Sequence, residues 1–145
     1  MTRTCATTTR PDELDPVLEL RAPADPVHLG PLRGVATALA GQCNMDLDRL
    51  ADLRLAVDET CSTLLRIALP GTDIVCRFRL SPDSFRLAAA VSAPPEEADA
   101  PVERKFGWHV LRTLTDELEI TRGPGAGPDR TAVTIAFTMF GGDAV

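Results

Sequence analysis

Asp46–Ala68 reads DLDRLADLRLAVDETCSTLLRIA. Leu50, Leu53, Val57, Cys61, Leu64 and Ala68 recur at steps of three and four, which puts them on one face of a helix. Arg49, Asp52, Ala56, Glu59, Thr63 and Arg66 share the other face at the same spacing. The helix thus has a side for a core and a polar side, and the polar side sets Glu59 one turn before Thr63. A carboxylate one turn from a hydroxyl can orient water or help to hold a magnesium ion. The plainer reading is a solvated helix face with Arg66 nearby.

Upstream, Met1 to about Pro16 is polar, Thr-rich and turn-prone, and is expected to be a flexible tail. Val17–Arg21 alternates and predicts a first strand. Ala22–Pro26 is a loop in which Asp25 is an N-cap and Pro26 the first helical residue. A first helix follows to about Gln42, with Val27, Leu32, Val35 and Leu39 as its expected buried stripe. Downstream, Pro70-Gly71 stops the second helix. Ile74–Leu80 and Phe85–Val91, joined by SPDS, read as an antiparallel hairpin.

Ser92–Arg104 is Pro-rich and acidic and reads as a structureless loop of a length that is often functional. Its acidic part, Pro94–Asp99, reads as solvated, with contact to a basic partner as the other reading. Lys105–Leu118 has helical spacing through Phe106, Val110, Leu111 and Leu114, and carries one glycine, Gly107, near its start. A glycine there lets backbone N–H groups approach a phosphate; a helix start with Trp108 packed into the core is the alternative. His109 lacks a partner nucleophile. Leu118–Arg122 and Ala132–Met139 are strands around a turn-rich loop, Gly123–Asp129, which lacks the G-K-[ST] of a P-loop. FGGDAV is expected to fray. The order β-α-α-β-β-α-β-β implies an α+β two-layer sandwich, with strands mainly antiparallel and helices on one face.

At 145 residues the chain is expected to form one domain, residues 17–139, between tails at 1–16 and 140–145. A net charge of −6 argues against direct nucleic-acid binding and suits a basic protein partner. The 4 cysteines include no C-x-x-C pair, and the 2 histidines are far apart, so metal-site spacing is absent. Cys61 and Cys76 fall in apolar patterns and read as reduced core residues. No signal-peptide pattern and no apolar run of about 18 residues occurs, so a cytoplasmic, non-membrane protein is expected.

LRLAVDETCSTLLRIA in the second helix and KFGWHVLRTLTDELEI later, in this order of elements, resemble the RsbW-type anti-sigma-factor serine kinases. These are small members of the GHKL, or Bergerat-fold, ATPase group, and the likeness is closest to the actinobacterial anti-sigma-F branch. It runs from about Val17 to Met139. The resemblance implies a Bergerat fold, a homodimer, ATP and Mg²⁺ as cofactors, and two partners. One is an alternative sigma factor of the sigma-B/sigma-F type. The other is an anti-anti-sigma antagonist with a STAS domain.

The family's E-x-x-x-N motif places its catalytic Glu at Glu59 and its magnesium-binding Asn at Thr63. Its D-x-G-x-G motif, which reads adenine, corresponds to SAPPEEADAP, which has no Gly and offers Glu96, Glu97 and Asp99. Its G-x-G segment is reduced to Gly107, beside Trp108. By the same resemblance Arg21, Arg33 and the Gly41–Asp48 segment, with Asp46, are partner contacts. The departures all fall on nucleotide chemistry, so the expected function is sigma-factor sequestration with a degenerate ATP site. An active serine/threonine kinase that phosphorylates the antagonist is the alternative.

Overall fold

The computed structural model of the chain describes residues 18–125 and 127–141. The tail expected at 1–16 lies outside them, as does 142–145 of the C-terminal one. Leu18–Pro23 forms β1, followed by a 3₁₀ turn at Pro26–His28 and helix α1, Leu29–Ala40. Asp25 caps the turn by accepting from Val27 N at 2.9 Å, with Pro26 at its first position. Helix α2 spans Leu47–Ile67, and Asp46 caps it by accepting from Arg49 N at 2.8 Å. Gly71 has φ +79, the left-handed conformation that the turn after α2 requires.

Strands β2 (Asp73–Ser81) and β3 (Ser84–Ala93) form the expected hairpin, closing at the Ser81–Ser84 pair. A short helical turn α3 (Pro95–Ala98), a 3₁₀ turn at Val102–Arg104 and helix α4 (Phe106–Leu114) lead to β4 (Glu117–Pro124) and β5 (Thr131–Phe140). The sheet order is β1-β2-β3-β5-β4, and every pairing is antiparallel. Gly141 N donates to Asp83 O at 2.7 Å, which ties the end of β5 to the hairpin turn.

The core lies between the sheet and the helices. Phe85, Leu87, Ala89, Val91 and Ala93 alternate inward along β3. Phe85 meets Phe78 edge-on at 6.0 Å and Phe137 stacked at 6.2 Å. Leu53, Val57, Cys61 and Leu64 of α2 are buried as the periodicity predicts. So are Ala56, Thr60, Thr63 and Leu65, because α2 is packed by α1 and α4 as well as by the sheet.

The stripe expected on α1 is corrected in part: Leu32 is buried and Leu39 packs partly buried against the core, as expected, but Val27 and Val35 do not. Leu32, Ala36 and Ala40 are its buried residues, while Val27 is 71% exposed and Val35 38%. Small alanines at four-residue steps let α1 lie close on α2, so backbone proximity rather than side-chain size chose the face. Cys61 and Cys76 are buried free thiols. Their shared hydrogen bond, then burial, pushes Cys61 well above its ordinary pKa.

Candidate functional site

Residues of α2, α4, β4, β5 and the 94–105 segment converge at one end of the helical layer. Glu59 projects from α2 toward the first turn of α4. A methyl group on Gly107 would collide with Glu59 Oε2 and come within 3.2 Å of Cδ, so the carboxylate can rest here only because Gly107 has no side chain, and would have to turn aside for a larger residue. A carboxylate at a helix N-terminus is also favourably placed against the helix dipole. The structure thus brings together Glu59 and Gly107, two residues 48 positions apart in the chain (107 − 59 = 48). Thr63, one turn on, is buried, and its Oγ1 accepts from Arg66 Nη2 at 3.5 Å.

Thr63 lines a cavity with Leu64 and Ile67 of α2, Glu97, Ala98, Ala100 and Val102 of the 94–105 segment, and inward residues of β4 and β5. Its volume is about 10 Å³, no more than the roughly 10–15 Å³ that one water needs. The space is filled by the chain itself. Ala98 is 2% exposed and Val102 7%, although the segment reads in the sequence as a solvated, structureless loop. The structureless reading is corrected, while Glu96, Glu97 and Asp99 are exposed, as the solvated reading of the acidic stretch expects. Pro95 starts a helical turn that ends at Ala98, and a separate 3₁₀ turn starts at Val102; each places an apolar side chain inward.

Arg122, at the cavity's rim on β4, holds the segment in place. Its Nε donates to Ala98 O at 2.5 Å and its Nη2 to Ala100 O at 3.2 Å. It also pairs with Glu103, Nη1 to Oε2 at 3.3 Å and Nη2 to Oε1 at 3.2 Å. This two-pronged geometry is what a guanidinium does best. Hydrogen bonding from Arg122, helped by a backbone bond, draws the Glu103 pKa below its ordinary value. The sequence reading passed over Arg122, whose only signal was a cation at an inward-and-outward alternating strand end.

The cofactors implied by the resemblance do not fit this arrangement. A purine base cannot occupy about 10 Å³. Magnesium wants one or two carboxylates and open positions for water and phosphate. Here Glu59 lies against Gly107, and the Thr63 hydroxyl has a guanidinium beside it. No group of three His, Cys, Asp or Glu side chains placed to hold a metal exists among the described residues.

The three candidate partner residues do not form one patch. Arg21 sits on the sheet face turned away from the helices, 3.6 Å from Glu19 and 3.8 Å from Asp73. Arg33 joins α1 to α2 through Asp58 at 2.8 Å. Asp46 is occupied as the cap of α2. Arg49, named in the sequence only as part of a polar face, clamps three chain ends. It donates to Phe140 O at 3.0 Å and Leu114 O at 3.4 Å and pairs with Asp116. Trp108 is buried, as its core reading predicts. It borders a second cavity of about 380 Å³ with Arg112, Thr115, Asp116 and Leu118.

A sequence model described as a histidine kinase-like ATPase domain matches residues 22–137. The anti-sigma-F factor RsbW of Mycobacterium tuberculosis is 36% identical over 122 residues, 84% of this chain and 71% of that protein. The serine-protein kinase RsbW of Bacillus pumilus is 23% identical across 86% of this chain and 85% of its own. Among solved structures, a histidine kinase domain from Erythrobacter litoralis aligns over 79% of this chain and 60% of that one, at 22% identity and a TM-score of 0.45. From the extent of the domain match and the identity to the mycobacterial factor, this chain belongs to the RsbW anti-sigma-factor family, built on a histidine kinase-like ATPase domain.

Proposed function

We propose that the chain holds an alternative sigma factor of the sigma-B/sigma-F type away from RNA polymerase, and gives it up when a STAS-domain antagonist competes. The mechanism is mutually exclusive binding, with the affinity difference deciding which partner is held. The observation that carries this reading is the 36% identity over 84% of the chain to the mycobacterial anti-sigma-F factor, and the cavity of about 10 Å³ beside Thr63 is in keeping with a role that needs no bound nucleotide. Kinship with a protein named anti-sigma-F factor supplies the partner class.

The outer side of α1 offers a contact surface. Gly30, Pro31, Gly34, Val35 and Ala38 are exposed and uncharged, and Arg33 borders them. Arg33 and the Gly41–Asp48 segment are the contacts we assign there, with Arg21 on the separate sheet face. The working unit is a homodimer in the cytoplasm. No helix among the described residues is long and apolar enough to cross a membrane.

The deciding experiment is calorimetry with a purified sigma-B/sigma-F-type factor, followed by addition of the antagonist. Tight binding that the antagonist reverses without ATP supports the proposal. Failure to bind any such sigma factor refutes it. A kinase reading draws on Glu59 lying against Gly107 and on relatives named serine-protein kinase. It requires antagonist phosphorylation that depends on Mg-ATP and disappears in Glu59→Ala with sigma binding intact.

A further inference from the structure

We infer that the 94–105 segment is a built-in occupant of the nucleotide pocket and that Arg122 is its latch, so that this arginine sets whether an adenine nucleotide can enter. The inference rests on reading the cavity beside Thr63 as the family's nucleotide site. Three independent observations meet at it.

The first is the filling. Ala98 and Val102 are buried residues of a segment rich in prolines and charged residues, and they line the cavity together with Ala100, Thr63 and Ile135. Apolar side chains at this spacing take the place that a flat, apolar base would take.

The second is the latch. Arg122 makes bonds to Ala98 O, Ala100 O and Glu103, and all of them fall on this one segment. Most other backbone bonds of residues 94–105 are local, such as Ala98 N to Pro94 O at 2.9 Å and Lys105 N to Val102 O at 3.0 Å. Such turns survive as the segment swings, so the bonds to Arg122 are the ones that must break for it to leave.

The third is the absence of a competing anchor from the opposite wall. The Thr63 hydroxyl accepts from Arg66 Nη2, within its own helix, and makes no hydrogen bond to the segment among the described residues. Opening therefore requires giving up one guanidinium cluster and a few small apolar contacts. Segments held this way belong to the low-stability end of a fold and open without global unfolding. A nucleotide binding only the open form is weakened in proportion to the rarity of that form.

The test measures two quantities on the full chain: amide hydrogen exchange of residues 94–105, and binding of Mg-ATP and ADP by calorimetry. For Arg122→Ala the expected result is faster exchange confined to the segment and at least tenfold tighter nucleotide binding. Glu103→Gln removes only the carboxylate. It should give a gain of about two- to fivefold, the size of an exposed ion pair. Unchanged exchange in a folded Arg122→Ala overturns the inference, as does faster exchange with no gain in nucleotide binding. If Arg122→Ala does not fold, Glu103→Gln decides, and no gain there overturns it. Sigma-factor retention is scored separately on the same samples. Its loss strikes the proposed function and leaves the latch judged on exchange and nucleotide alone.

Discussion

Arg49 and Arg122 make the same set of bonds with opposite consequences. Each donates to two backbone carbonyls and pairs with one carboxylate, and each side chain is about one-quarter exposed (23% and 25%). The partners of Arg49 are ends of regular structure: the last turn of α4 at Leu114, the end of β5 at Phe140, and Asp116 between α4 and β4. Asp116 in turn accepts from Phe140 N at 2.7 Å, so the cluster closes on itself. The partners of Arg122 all lie on one short segment that packs through a few small apolar side chains, Ala98, Ala100 and Val102. A guanidinium that joins elements is part of the scaffold, while one that holds a single strap is a latch. The difference comes from what the carbonyls belong to, not from the arginine.

The largest effect should come from Arg49→Ala. Loss of a charged donor to two carbonyls and a carboxylate costs about 2–3 kcal/mol, which for this size lowers Tm by roughly 5–10 °C in a circular dichroism melt. Arg122→Ala should cost less, about 1.5 kcal/mol, the equivalent of a roughly tenfold shift in segment opening, because the cost is capped by the free energy of opening the segment locally. Equal losses in the two variants would erase the distinction. Gly107→Ala asks whether the start of α4 belongs to the rigid side. Its methyl group meets the movable end of the Glu59 side chain, so the cost should be about 1 kcal/mol or less once that carboxylate turns aside. Most of that should return in the double variant with Glu59→Ala, read from denaturant midpoints; no recovery would mean the clash is relieved elsewhere.

A smaller effect is expected at Thr60. Its hydroxyl is buried on α2 with no hydrogen-bond partner among the described residues. Thr60→Val should therefore be neutral or stabilising by up to about 1 kcal/mol, without altering exchange in 94–105. The smallest signal is the titration of Glu103. Its folded pKa is lowered, so its contribution is complete above the unfolded value of about 4.3 and is lost as pH falls through the folded one. A carbon-13 titration of the side-chain carboxyl should show a midpoint below the ordinary value that returns to it in Arg122→Ala.

Much of the fold was legible in the sequence. The α2 face through Leu53, Val57, Cys61 and Leu64, the β2–β3 hairpin and the Asp25 and Asp46 caps each follow from short-range rules. The stripe on α1 was only partly so, because Ala36 and Ala40 carry little hydrophobic signal and are buried by closeness to α2. Of the candidate site, the residues were legible and their arrangement was not. Glu59, Thr63 and Gly107 stand out by spacing and by resemblance, yet nothing local announces that Glu59 rests on Gly107. The filled cavity was hidden for the same reason. Ala98 and Val102 sit among prolines and acids, and their burial depends on Arg122, which is about 20 residues away (122 − 102 = 20).

By itself the sequence determined the main helices and strands, their order and the family, since periodicity, capping and turn chemistry act over a few residues and survive in any context. Tertiary structure alone decided which α1 face is buried, which arginine is scaffold and which is latch, and whether the pocket beside Thr63 stands open. Those outcomes depend on contacts between residues distant along the chain. Their free energy exists only once the sheet has brought β4 against the 94–105 segment and α4 against α2.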